Sequence, residues 1–267
     1  PDSIVDTAPG DLRIGGRLIT QDTTNLGSID VTTILARSSN VGAAKLALDL
    51  DQRELWSVLS RFGIGQLTDS GFPGESAGVL IDPQNWRPVG QATLAYGYGL
   101  SVTALQLAQA YAAIAADGVR RPVSLVAVDE RPSGTDSGFP GESAVVQGML
   151  ETVVSPVGTG QRAAIANFRV AGKTGTAWKS GLGGYNRYRY LAVFGGFAPA
   201  TDPRLVAVVI IDEPGGEQYY GGEVAAPVFA RILSGALRFL AVPPDALPEP
   251  SATVVARAGA ADAEAGR

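Results

Sequence analysis

The sequence predicts an α+β domain in which helices cover the faces of an antiparallel sheet. Helical segments fill most of the first part of the chain, three β-rich segments then follow one another, and a last helical segment closes the domain. Because neighbouring strands joined by short turns pair antiparallel, and helices on either side can cover their apolar faces, this order of elements indicates the α+β class.

The helices are predicted from capping residues and apolar spacing. After a loop-rich start, Asp30 is a favoured N-cap for a helix over residues 31–37, and Val41, Ala44 and Leu48 continue at helical spacing in a second helix. Residues 63–90 are rich in Gly and Pro and predict a loop. The remaining predicted helices cover residues 51–62, 103–116, 144–154 and 225–240.

The strands are predicted at residues 167–178, 189–198 and 205–213, and the turn "APATDPR" joins the last two. Beyond them the chain becomes Ala-rich, polar and aperiodic. We therefore expect one domain over residues 1–244, followed by a disordered Ala-rich tail over residues 245–267.

Composition excludes several functional classes. The 267 residues are 45% hydrophobic with a net charge of −5, and the basic residues are scattered, which argues against a nucleic-acid partner. No apolar run reaches the roughly 18 residues of a membrane helix. The chain has no Cys and no His, so it offers no thiol nucleophile, thiolate metal site or Ser-His-Asp triad. The string "GESAG" therefore predicts a turn around Ser76 rather than a nucleophile elbow.

A serine chemistry without His needs lysine as its proton acceptor, and the three lysines are Lys45, Lys173 and Lys179. Lys173 lies in "RVAGKTGTA", which looks like a phosphate-binding loop. That loop requires a glycine where Asn167 stands, and it should open a helix, so both tests of a nucleotide site fail.

As a strand, this segment places Thr174 and Thr176 on one face and Lys173 on the other, from which Lys173 must reach round the sheet edge. Gly172 and Gly175 permit close approach of a ligand or of another backbone. Two hydroxyls, a cation and free N–H groups suit a carboxylate or an oxyanion. The alternative is a strand whose glycines only pack under a helix.

The second motif is Ser38-Ser39-Asn40, between two predicted helices. By itself it is typical of a helix N-cap. The combination of S-x-N followed by K-T-G, in a chain without His or Cys, is the pattern of penicillin-binding proteins and serine β-lactamases.

Beyond these motifs, long strings resemble the transpeptidase domain of class B penicillin-binding proteins, the FtsI-like septal peptidoglycan D,D-transpeptidases. The resemblance runs from Pro1 to about Asp245. The matching strings are "RSSNVGAAKLAL", "RFGIGQLTDSGFPGE", "YGYGLSVTALQLAQAYAAIAADG", "VAGKTGTA", "APATDPR" and "YYGGEVAAPVF".

The resemblance implies the penicillin-binding fold and acyl transfer from a D-Ala-D-Ala stem peptide, with β-lactams as mimics and no cofactor or metal. Ser38 would relay a proton to the leaving amine, Asn40 would hold the substrate amide, and Lys173 would tune this network. The substrate-binding residues it implies are Thr174, Gly175 and Thr176, which bind the carboxylate and supply an oxyanion donor, and the aromatic wall Tyr190, Tyr219 and Tyr220.

Two departures from the family pattern affect these expectations. No S-x-x-K, the motif that supplies the nucleophile and its lysine, occurs in the chain, so we expect these residues alone to be inactive. The family usually has proline where Ala104 stands, and we expect little effect. A further feature without explanation is "TDSGFPGESA", which occurs at residues 68–77 and again at residues 135–144.

Two alternatives to a septal transpeptidase remain. One is a D,D-carboxypeptidase or β-lactamase of the same fold, and the other is a non-catalytic binding or scaffold fragment. By resemblance, the partners would be peptidoglycan stem peptides, the septal glycan polymerase and other division proteins. The location would be the periplasmic face of the bacterial inner membrane, with the anchor outside these residues.

Overall fold

The computed structural model describes residues 1–20, 25–130, 132–181 and 184–247. Its strands are β1 (Ile4–Asp6), β2 (Asp11–Ile14), β3 (Arg17–Thr20), β4 (Ser28–Asp30), β5 (Val79–Leu80), β6 (Leu100–Ser101), β7 (Val119–Arg120), β8 (Thr135–Asp136), β9 (Ala171–Gly181), β10 (Gly184–Ala198) and β11 (Leu205–Asp212). Its α-helices are α1 (Val31–Arg37), α2 (Asn40–Asp49), α3 (Gln52–Arg61), α4 (Pro88–Leu94), α5 (Ala104–Ala115), α6 (Pro140–Val154), α7 (Gly221–Val224) and α8 (Ala226–Phe239).

The central sheet is antiparallel, in the order β11-β10-β9, so β9 is an edge strand among the described residues. Thr174 pairs with Phe194 and Lys173 with Gly195. Because side chains alternate along a strand, Thr174 and Lys173 leave β9 on opposite faces, as the sequence predicts.

Helices cover both faces of this sheet. On one face, Phe194 packs with Phe229 and Leu233 of α8 in the larger hydrophobic core. On the other face, Phe197 packs with Leu150 of α6 and Tyr111 of α5. The predicted α+β class is therefore confirmed, and it is this double cover that fixes β9 in place.

The helix predictions at residues 31–37, 51–62 and 103–116 are confirmed within two residues at each end. Thr103 and Gln106 form a reciprocal capping box at the start of α5. Ala104 is the first residue of that helix, a position where proline is favoured but does not form the cap. Because Thr103 and Gln106 supply the cap, alanine can occupy this position.

Other predicted boundaries were wrong. The loop-rich start contains β1 to β4, and the predicted loop over residues 63–90 contains β5 and the start of α4. The helix predicted at 144–154 begins four residues earlier at Pro140, because proline is well tolerated in a first turn. The strand predicted from residue 167 begins at Ala171, and the closing helix is divided into α7 and α8.

The repeated ten-residue string adopts two conformations. In the first copy the Glu75 carboxylate accepts hydrogen bonds from the Thr68 backbone N–H and hydroxyl, and from the Ser70 hydroxyl, which closes a loop. In the second copy the same letters form β8 and the first turns of α6, where Glu142 lies. Nothing in the structure explains why the string is repeated.

The predicted tail starts too early. The Asp245 carboxylate accepts hydrogen bonds from the backbone N–H of Arg169 (2.7 Å) and from the Thr201 hydroxyl (2.9 Å), and the Ala246 N–H donates to the Asn167 carbonyl. These residues belong to the domain. Residues 248–267 of the predicted tail lie outside the described residues. Within the described ranges, no helix combines the length and the apolar character that crossing a membrane requires.

Candidate active site

Ser38 lies at a sharp turn between α1 and α2. It ends α1 with φ 59° and ψ 45°, a left-handed conformation that few residues other than Gly adopt. Its backbone N–H stays bonded to α1, while the Ser39 hydroxyl accepts from the Gly42 N–H and caps α2. The alternative interpretation of this motif as a helix cap is thus correct for Ser39, and Ser38 is left exposed beside β9.

Lys173 reaches round the edge of the sheet and meets Ser38. Its Nζ donates to Ser38 Oγ at 2.6 Å, to the Thr174 carbonyl at 3.1 Å and to Thr174 Oγ1 at 3.3 Å. An ammonium group has three protons, so these contacts account for all of them. Burial lowers the pKa of Lys173 to about 8, because the charged form is poorly solvated there.

The two threonine hydroxyls of β9 lie on the same face and are both held by neighbours. Thr176 Oγ1 accepts from the Gly221 N–H at 3.0 Å, at the start of α7. Thr174 Oγ1 lies 2.8 Å from Thr159 Oγ1. Since Thr176 acts as an acceptor toward the protein, its own proton remains available to a ligand oxygen.

Glycines allow α7 to approach this strand closely. A Cβ on Gly221 would lie 2.3 Å from the Val193 carbonyl oxygen and 2.4 Å from that of Gly175. On the buried side, a Cβ on Gly172 would lie 2.7 Å from the Gly195 carbonyl oxygen. Gly175 thus packs under a helix, the alternative interpretation, and Gly172 permits close approach of the neighbouring strand β10.

Asn40 is the first residue of α2, two positions after Ser38. Its Nδ2 donates to the Thr20 carbonyl of β3 at 3.3 Å. The structure thus brings Lys173 into direct contact with Ser38 and Thr174. Asn40 instead contacts β3.

The three predicted wall residues form a continuous stack. Tyr190 lies over Tyr219 with ring centroids 4.1 Å apart and an interplanar angle of 19°, and Tyr219 contacts Tyr220 at 4.5 Å. A bulge in β10 between Asn186 and Tyr190 sets the position of Tyr190, whose carbonyl accepts from the Glu213 N–H at 2.9 Å.

The other two lysines are bonded away from Ser38. Lys179 pairs with Asp212 at 2.7 Å and with Glu213 at 2.6 Å. Lys45 donates to the Asp6 carbonyl. Of the three lysines, Lys173 is therefore the one placed to act with the Ser38 hydroxyl.

Sequence reasoning missed Thr159, which bonds to Thr174 from the loop after α6. Its neighbours Gly158 and Gly160 are needed there, since a Cβ on Gly158 would lie 2.1 Å from the Val153 carbonyl oxygen. The sequence places this threonine between two glycines, shortly before the K-T-G strand. That pattern could have predicted a loop that packs closely against its neighbours.

The arrangement offers groups that can bind an anion and transfer a proton. In the described part of the chain, no group of three or more His, Cys, Asp or Glu residues is placed to hold a metal ion. The groups present are suited to a carboxylate ligand: the Lys173 ammonium, the Ser38 hydroxyl bonded to it, and the two threonine hydroxyls of β9.

Comparison with known proteins decides the family. Residues 1–234 match the model of the penicillin binding protein transpeptidase domain. The chain belongs to this family. The matched range includes the S-S-N turn and the K-T-G strand.

Relatives and solved structures agree with this assignment. The chain is 44% identical to the peptidoglycan D,D-transpeptidase FtsI of Escherichia coli K12, over 92% of this chain and 41% of that protein. It is 42% identical to the probable D,D-transpeptidase PenA of Neisseria meningitidis serogroup A, over 84% of this chain and 39% of that protein. The chain thus spans about two fifths of these relatives.

The fold matches as well. The apo transpeptidase domain of Burkholderia pseudomallei penicillin-binding protein 3 has a TM-score of 0.87 and 43% identity, over 93% of this chain and 75% of that one. The penicillin-binding transpeptidase fold predicted by resemblance is confirmed.

Proposed function

We propose that these residues form the carboxylate-binding and proton-handling part of a peptidoglycan D,D-transpeptidase that acts on D-Ala-D-Ala stem peptides and is acylated by β-lactams. The observation that carries the proposal is the position of Lys173, which bonds to Ser38 and to Thr174 at once. One cation thus links a proton-relay hydroxyl to a carboxylate-binding hydroxyl. The names of the relatives, FtsI and PenA, support the same reaction.

In this reaction a serine attacks the carbonyl between the two D-Ala residues, the C–N bond breaks, and the terminal D-Ala leaves as an amine. Ser38 would pass a proton to that amine, because its hydroxyl can donate while it accepts from Lys173. An amine of a second stem peptide then displaces the serine. The attacking serine belongs to S-x-x-K, which these residues do not contain, so the roles here are those of binding and proton transfer.

Thr174 and Thr176 would hold the carboxylate of the terminal D-Ala, with Gly175 between them leaving room for the ligand. The backbone N–H of Thr176 would serve as an oxyanion donor. Asn40 would hold the substrate amide, which requires its Nδ2 to exchange the Thr20 carbonyl for a ligand oxygen. Tyr190, Tyr219 and Tyr220 would form the apolar wall beside the peptide.

The cellular setting follows from the family and is part of the proposal. A septal D,D-transpeptidase works on nascent peptidoglycan on the periplasmic face of the inner membrane. Its partners there would be the septal glycan polymerase and other division proteins. The FtsI name of the relatives supports this setting.

The test is a titration of the isotopically labelled chain with N-acetyl-D-alanyl-D-alanine, followed by the amide signals of Thr174 and Thr176 in NMR spectra. Binding should shift these signals. Lys173→Met should weaken binding by about ten- to a hundredfold, because Thr174 loses its charged hydrogen bond and the carboxylate loses the nearby positive charge. Lys45→Met is the matched control and should bind like the parent. Equal affinity of the parent and Lys173→Met would contradict the proposal.

A further inference from the structure

The Thr174 hydroxyl has two neighbours that together decide which way its proton points. Lys173 Nζ lies 3.3 Å from Thr174 Oγ1, and an ammonium group can only donate, so this contact occupies one lone pair of the oxygen. Thr159 Oγ1 lies on another side at 2.8 Å, where either hydroxyl could be the donor. The direction of this second bond therefore determines what Thr174 can offer to a ligand.

The two directions have opposite consequences for a carboxylate. If Thr174 donates to Thr159, its only proton is used, and an ionised carboxylate, which only accepts, gains nothing from this hydroxyl. If Thr159 donates to Thr174, both lone pairs of Thr174 are occupied and its proton must point away from Lys173 and Thr159. That proton is then free for a ligand oxygen.

We infer that Thr159 is a positioning residue for the transpeptidase reaction: it donates its proton to Thr174 and thereby fixes Thr174 as a donor to the substrate carboxylate. The inference rests on the function proposed above. In the bound complex the hydroxyls form one ordered chain, from Thr159 to Thr174 to the carboxylate. Thr159 acts through Thr174 and does not need to touch the ligand.

The backbone of Thr159 is held independently of its hydroxyl. Its N–H donates to the Ala36 carbonyl of α1 at 3.2 Å, close to the turn that presents Ser38. On the other side, a Cβ on Gly222 would lie 2.3 Å from the Thr159 carbonyl oxygen, so α7 packs directly on this residue. The loop thus contacts α1, β9 and α7 together, and removal of the hydroxyl alone leaves these backbone contacts in place.

Valine is the matched substitution, because it has the shape of threonine without the hydroxyl. In Thr159→Val, the Thr174 proton still points away from Lys173, but it can also turn toward the place of the lost hydroxyl, so part of its donor capacity toward the ligand is lost. We expect the dissociation constant for N-acetyl-D-alanyl-D-alanine to rise about three- to tenfold, the effect of one neutral hydrogen bond. Thr159→Ser keeps the hydroxyl and should bind within about twofold of the parent.

The decisive comparison uses the same dipeptide with its C-terminal carboxylate replaced by an amide. The amide can donate as well as accept, so it does not depend on a fixed Thr174 donor, and Thr159→Val should leave its affinity unchanged. Thr152→Val is the control for hydroxyl loss nearby, since Thr152 Oγ1 donates to the Met149 carbonyl within α6. The NMR spectra that report binding also show whether each variant is folded.

Three results would overturn the inference. An unchanged affinity of Thr159→Val for the acid would mean that Thr159 does not direct Thr174. An equal loss for acid and amide would mean a general structural role. A parent chain that binds acid and amide equally would contradict the carboxylate site itself, and this failure of the proposed function is recognised before any Thr159 variant is compared. If Thr159→Val does not fold, the ratio of acid to amide affinity in Thr159→Ala against Thr159→Ser decides the same question.

Discussion

Lys173 Nζ donates a 2.6 Å hydrogen bond to Ser38 Oγ across 135 positions of the chain. The bond joins the edge strand of the central sheet to the turn between α1 and α2. Ser38 has a left-handed backbone conformation at this turn, a geometry that is uncommon for a residue other than Gly and is found at functional sites. The bond thus joins the two motifs at one edge of the sheet.

The lowered pKa of Lys173 predicts a pH dependence of stability. The pKa is about 8 in the folded chain, against the ordinary lysine value of 10.5 in the unfolded chain, so between these two pH values the unfolded chain binds more protons than the folded one. Stability must then rise with pH in this window, relative to a variant without the amine. The measurement is the free energy of unfolding in urea for the parent and for Lys173→Met. From pH 8 to pH 10.5 the parent should become more stable relative to the variant by on the order of 1–3 kcal/mol. A stability difference that stays constant with pH would show that Lys173 is not desolvated.

Gly221 should not tolerate a side chain. A Cβ there would lie 2.3 Å from the Val193 carbonyl oxygen, so Gly221→Ala must displace α7 from the sheet and weaken the bond to Thr176. We expect a loss of about 1–3 kcal/mol in the free energy of unfolding. Gly235→Ala is the matched control, because a Cβ at this exposed position of α8 meets nothing within 4 Å and should stabilise the helix by about 0.5–1 kcal/mol. Equal effects of the two substitutions would contradict the close packing of α7.

The Tyr190–Tyr219 stack should be measurable as a coupling energy. With ring centroids 4.1 Å apart, the pair is expected to contribute about 0.5–1.5 kcal/mol beyond the area it buries. A double-mutant cycle with Tyr190→Leu and Tyr219→Leu, read from unfolding free energies, tests this. Strictly additive effects would mean that the rings do not interact in solution.

Incubation with a penicillin should leave the mass of the 267-residue chain unchanged. The family's acylated serine is part of S-x-x-K, which does not occur in these residues, and there is no Cys or His to replace it. Intact-mass spectrometry checks this directly. A stoichiometric adduct, above all one on Ser38 beside Lys173, would assign the nucleophile to a residue that we describe as a proton relay.

Much of the fold could be predicted because local signals were strong. Asp30 caps α1 as predicted, with its carboxylate 2.6 Å from the Thr33 N–H, and Thr103 caps α5. The face assignment of Lys173 and Thr174 followed from strand alternation alone. S-x-N followed by K-T-G indicated penicillin-binding proteins and serine β-lactamases together, although either motif alone was ambiguous. The longer matching strings then indicated the transpeptidase domain.

What could not be predicted depended on contacts distant in sequence. The string "TDSGFPGESA" forms a loop where Glu75 meets Thr68 and a helix start where Pro140 opens α6, so the letters alone do not fix the structure. The contact between Thr159 and Thr174 could not be predicted for the same reason, because it joins the loop after α6 to β9. Asn40 bonds to Thr20, a contact that no spacing rule indicates.

The most direct test of the central claim is a crystal structure of the chain with N-acetyl-D-alanyl-D-alanine. We predict that the terminal carboxylate lies about 2.5–3.0 Å from the hydroxyl oxygens of both Thr174 and Thr176, with Lys173 still bonded to Ser38. A dipeptide whose carboxylate lies elsewhere, with both threonine hydroxyls free of it, would contradict the assignment of this edge of β9 as the substrate site.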